Sequence, residues 1–247
     1  MSVLFRHAVR VPRTGIGAAP AVPGLRDTLH LPSSRRWLLL LAPLGLVASM
    51  QAVFLAASGW LGPRPGFVVA FVIYWLVWGL AVPLWLLGRD GVMGLFRPVR
   101  AMGVLPRILV ALLLATPAAF GFLFIFPTLF PEGEANLIAL FALYAIVNGV
   151  LEEIFWRGTF VQAFPNDVLR SILYPAVVFG VWHLVVLSMS GMFPPVAPLA
   201  AFLAATALGL VYGWATRFTG SIRWVAASHA LLNLAGLGAF IVFQPIG

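Results

Sequence analysis

Seven long apolar runs follow one another along the chain, over residues 37–59, 67–88, 108–130, 137–164, 171–191, 199–218 and 222–243. Each is about 20 residues or longer, the length an α-helix needs to cross a bilayer. A helix satisfies its own backbone hydrogen bonds, so it is the element such a run forms in lipid. The pattern predicts an all-α fold, a polytopic transmembrane helical bundle of about seven spans. Only Thr219-Gly220-Ser221 separates the last two runs, which reads as a tight turn. Residues 89–107, between the second and third runs, carry Arg89, Arg97, Arg100 and Arg107 and read as an interfacial segment. Residues 1–35 are polar, with four prolines and five arginines, and Arg36 follows directly. They lack the apolar segment of a secretory signal and read as a disordered arm. The predicted organisation is this arm over 1–35, N-terminal spans over 36–136 and a second block of spans over 137–243.

Composition agrees with the pattern. The chain is 62% hydrophobic and 9% charged, with mean hydropathy +1.03, whereas a soluble domain is about 25% charged. This predicts an integral membrane protein. Cysteine is absent, which excludes disulfides and thiolate metal sites. The net charge of +8 comes from arginine alone. Those arginines sit in the arm and between the spans, so they read as topology signals and not as a nucleic-acid surface. When the loops are assigned alternately to two sides, thirteen arginines fall on one side. The other side has Arg64 and an acidic loop over 131–134. The positive-inside rule then predicts a multi-pass protein of the inner or plasma membrane, with a cytoplasmic N-terminus and the C-terminus outside.

The candidate chemistry lies in the last four runs. Apart from Arg217 and Arg223 at the run ends, their charged residues and histidines are Glu152, Glu153, Arg157, His183 and His229, while His7 and His30 fall in the arm. A carboxylate at the bilayer centre costs about 2.5–3.5 kcal/mol on insertion scales, so such residues mark function. Residues four apart share a helix face, which lets Glu153 pair with Arg157. Glu152 lies about 140° from Arg157 at 3.6 residues per turn, on the face of Asn148. One glutamate is then paired and the other free to act as a base. Phe179 and His183 share a face, as do His229 and Asn233. At about 1.5 Å per residue, Glu152 and His183 sit about 18 Å from the cytoplasmic ends of their spans and His229 about 10 Å. All three can meet in the cytoplasmic half of the bilayer. There Glu152 and His183 could activate a water, with His229 and Asn233 donating to a developing oxyanion. No cofactor is required by that reading. The alternative is a divalent metal such as zinc, held by His183, His229 and a glutamate. The spacing Gly209-x-x-x-Gly213 reads as close helix packing.

Glu152-Glu153-x-x-x-Arg157, Phe179-x-x-x-His183 and His229-x-x-x-Asn233 resemble the three ordered motifs of the CPBP family. These are the CAAX-processing and bacteriocin-processing (Abi) intramembrane endopeptidases. The stretch Gly209 to Ser221 also resembles the family, and the likeness covers residues 137–243. It implies a glutamate-type peptidase cutting near the membrane-embedded end of a protein or peptide substrate. By the same likeness, Glu152 is the base together with His183, Glu153 and Arg157 support the site, and His229 and Asn233 form the oxyanion site. The partners it implies are a membrane-associated substrate and the bilayer. Two other classes use similar residues: a non-catalytic membrane scaffold or bacteriocin self-immunity protein, and a proton-coupled transporter. The intact motif set argues against the scaffold, and the absence of paired inverted halves argues against the transporter.

Overall fold

The computed structural model describes residues 31–97, 101–125, 135–188 and 198–242. The arm up to residue 30, Arg100 and the acidic loop of Glu132 and Glu134 lie outside these residues. Among the described residues there are seven main helices and no strand. We number them α1 (Ser33–Leu61), α2 (Pro63–Gly94), α3 (Val104–Phe124), α4 (Ala135–Glu153, continued by Ile154–Thr159 and Phe160–Ala163), α5 (Leu169–Leu187), α6 (Pro198–Thr219) and α7 (Arg223–Val242). Five of them, α1, α2, α3, α5 and α6, are long and apolar enough to cross a membrane. Large apolar side chains such as Trp60, Leu109, Leu112 and Leu199 stand exposed on the outer surface. Outward apolar faces of this kind are what lipid, and not water, stabilises.

Two glycines shape the connections. Gly88, at φ 71°, breaks α2 at the predicted end of the second run, and a short helical stretch continues to Gly94. The break falls where the predicted interfacial segment begins. Gly220, at φ 74°, makes the tight turn between α6 and α7. The turn is fastened to the end of α2, because the amide of Ile222 and the hydroxyl of Ser221 both donate to Leu95 O.

Helices in lipid gain stability from close van der Waals packing, and small residues permit it. A Cβ on Gly149 of α4 would lie 2.6 Å from the backbone nitrogen of Ala230 on α7. A Cβ on Gly209 of α6 would lie 2.9 Å from Ala176 Cα on α5, and one on Gly213 would lie 3.0 Å from Ile172. The glycine spacing in α6 therefore serves packing, as the sequence predicts. An aromatic cluster from α1, α2, α4 and α5 fills the neighbouring space, with Phe54, Phe71, Tyr74, Tyr144 and Trp182 in edge or stacked contact.

Candidate active site

Glu152 and Glu153 end the α-helical part of α4, and the wide π turn Ile154–Thr159 carries Arg157. In such a turn backbone bonds span five residues instead of four. Thr159 Oγ1 reinforces it by donating to Ile154 O at 2.8 Å. The two adjacent glutamates take different partners. Arg157 Nη1 donates to Glu153 Oε1 at 2.8 Å, as the four-residue spacing predicts. His229 Nδ1 lies 2.7 Å from the same oxygen. A carboxylate only accepts, so Nδ1 carries the hydrogen. The other ring nitrogen, His229 Nε2, lies 3.5 Å from Glu152 Oε2. One imidazole thus stands between both carboxylates.

Glu152 shares its face with Asn148, as expected, but it is not free. The Tyr74 hydroxyl donates to Glu152 Oε1 at 2.9 Å, and Trp182 Nε1 donates to the same oxygen at 3.2 Å. Trp156 Nε1 donates to the Tyr74 oxygen at 3.0 Å and completes a relay of donors. On the same side Trp75 Nε1 donates to Asn148 Oδ1 at 2.9 Å. Tyr74 and Trp75 belong to α2, a run without any motif. Periodicity gives no sign of Tyr74, Trp75, Trp156 or Trp182 as site residues. The available signal is chemical: a buried Tyr or Trp needs a partner for its polar tip.

Phe179 organises the other side. The Arg157 guanidinium lies over its ring at 4.1 Å, and its edge meets the rings of His183 at 4.5 Å and His229 at 6.2 Å. His183 Nδ1 lies 2.8 Å from Phe179 O, so it too is the N–H side, leaving Nε2 of the neutral ring as an acceptor. His183 is within electrostatic range of Glu152 and is the partly exposed member of the set. Glu152, Glu153, Arg157, His229 and Asn233 are all at most 3% exposed. Asn233 follows His229 by about one turn of α7. Its Nδ2 is buried without a hydrogen-bond partner among the described residues, as are Glu153 Oε2 and Arg157 Nη2. An unpaired buried amide donor about one turn from His229 is a site prepared for an acceptor that the described residues do not supply.

Residues 134–235 match the model of the family described as type II CAAX prenyl endopeptidase, Rce1-like. That match agrees with the likeness of the motifs to the CPBP family of CAAX proteases. No curated protein and no solved structure matches the chain. All seven motif residues fall within the matched range, and the geometry above gathers Glu152, Glu153, Arg157 and His229 by direct contact. Metal fit can be judged from the same geometry. Glu152 Oε2 and His229 Nε2 could face one ion, but zinc takes three protein ligands besides an open position. Among the described residues no group of three or more His, Asp or Glu could hold a metal ion. The zinc set of the sequence reading does not assemble in this arrangement.

Proposed function

We propose that this CPBP-family chain is a CAAX-type intramembrane endopeptidase of the glutamate type. The observation that carries the reading is the asymmetric environment of Glu152. Its Oε1 is occupied by Tyr74 and Trp182, and its Oε2 faces His229 Nε2 at 3.5 Å. One carboxylate oxygen is thereby fixed and the other points at the reacting space. Glu152 Oε2, assisted by the acceptor nitrogen of His183, takes a proton from water. The resulting hydroxide attacks the scissile carbonyl, and the C–N bond breaks as the leaving amine receives that proton. Asn233 Nδ2, with the Nε2–H of His229 when that ring carries both protons, donates to the oxyanion that forms on attack. Glu153 and Arg157 hold His229 in register.

The substrate is a membrane-associated protein or peptide: a prenylated C-terminus, a leader peptide or a C-terminal sorting anchor. With the arginine-rich loops inside, the N-terminus is cytoplasmic, and the cut falls in the cytoplasmic half of the bilayer. The test is terminal proteomics on host membranes that carry the wild-type protein or Glu152→Gln at matched abundance. New termini with wild type alone support the peptidase and name its substrates. Identical termini, from two folded and equally abundant proteins, would overturn it.

A further inference from the structure

Away from the glutamates, a cavity of about 590 Å³ opens between α3 and α7. This lies within the range of about 300–1,000 Å³ typical of ligand sites. Its floor is apolar, with Val110, Ala111 and Leu114 from α3 and Ala227 and Leu231 from α7. Its mouth is cationic, since Arg107 and Arg223 both line it beside Trp224. Arg107 sits in the first turn of α3 and Arg223 opens α7, so both charges lie at one end of the groove. The Arg223 guanidinium lies over the Trp224 ring at 5.5 Å. None of the ion pairs among the described residues uses Arg107 or Arg223.

From Arg223 to Leu231 the groove runs about 12 Å at 1.5 Å per residue. Half of a hydrocarbon core is about 15 Å thick. An occupant held by the two arginines would therefore keep its anion at one membrane surface and its apolar part within a single leaflet. Charge, depth and an apolar floor together describe one chemistry.

We propose that the α3–α7 groove is a binding site for an anionic phospholipid of the bilayer, its phosphate between Arg107 and Arg223 and one acyl chain along α3 and α7. The groove also touches the back of the candidate site. Ser228 lines it, hydrogen-bonds Tyr212 OH at 2.7 Å and immediately precedes His229. Tyr212 in turn lies 5.7 Å from the His229 ring. A lipid in the groove therefore presses on the turn of α7 that presents His229. The binding claim does not depend on the peptidase reading.

The experiment is native mass spectrometry of the full chain, delipidated in detergent and titrated with phosphatidylglycerol or phosphatidylcholine. Wild type should retain phosphatidylglycerol in preference to phosphatidylcholine. An arginine near an anionic headgroup contributes roughly fivefold in affinity, so Arg107→Gln/Arg223→Gln should lower phosphatidylglycerol binding about 25-fold and erase the preference. Ala111→Phe narrows the floor and should weaken both lipids, while circular dichroism checks that each variant keeps its helix content. Equal retention of the two lipids by wild type, or an unchanged preference in the folded double variant, overturns the proposal. So does displacement of phosphatidylglycerol by a farnesylated peptide with a free carboxylate, which would assign the groove to substrate.

Discussion

Replacing Tyr74 with Phe removes one oxygen that serves two neighbours. Glu152 Oε1 loses a donor at 2.9 Å, and Trp156 Nε1 loses its acceptor at 3.0 Å. A hydrogen bond to a charged group contributes about 1.5–3 kcal/mol, and leaving a buried donor orphaned costs about 1–3 kcal/mol. The single variant should therefore lose about 2.5–6 kcal/mol of stability. Trp156→Phe alone removes only a neutral bond and a small volume, for about 1–2 kcal/mol. In the Tyr74→Phe background, Trp156→Phe also deletes the orphan, so the double variant should be more stable than additivity allows by about 1–3 kcal/mol. The assay is reversible unfolding in mixed micelles, followed by circular dichroism because tryptophan is being changed. Additivity within about 0.5 kcal/mol would refute the shared oxygen. Activity gives a second reading of the same change. A loss of about 1.5–3 kcal/mol in holding Glu152 corresponds to roughly a 10- to 100-fold drop in turnover, short of the complete loss expected for Glu152→Gln.

Asn233→Ala should lower cleavage about 100- to 1,000-fold, as removal of an oxyanion donor does, yet barely change the unfolding midpoint because Asn233 Nδ2 has no hydrogen-bond partner among the described residues. A large stability loss with intact cleavage would contradict it. Arg157→Ala strands Glu153 without its cation and should destabilise by about 3–5 kcal/mol, whereas Arg157→Ala/Glu153→Gln should regain part of that in the same unfolding assay. Gly149→Ala places a Cβ 2.6 Å from Ala230 N, so α4 and α7 must part. It should cost about 1–3 kcal/mol and reduce cleavage together with stability.

What the sequence reveals and what it hides divide along a physical line. The Glu153–Arg157 pair, the shared face of Asn148 and Glu152, the packing role of Gly209 and Gly213 and the turn at Gly220 follow from helical geometry over a few residues. The partners of Glu152 do not. Tyr74 lies 78 residues away and Trp182 lies 30 residues away, and their contact depends on how α2 and α5 dock against α4. Spacing made Glu152 appear unengaged because periodicity can say which side of its own helix a residue occupies, but not what stands opposite. The convergence of Glu152 and His229 was legible only as a matter of depth. That one imidazole reaches both glutamates required the α4–α7 approach that Gly149 permits.

The Tyr74 bond also bears on how such a protein can be divided or recombined. The segment matched by the family model begins downstream of α2, so a graft of residues 134–235 onto a different set of leading helices would carry Glu152 without one of its two donors. Its fixed oxygen would then swing on Trp182 alone. Trp156 travels inside the graft, and it would arrive with a polar tip to satisfy. Exchange of halves between such proteins should succeed only where the incoming second helix brings a hydroxyl to the level of Glu152, and a library of chimaeras would sort on that one atom.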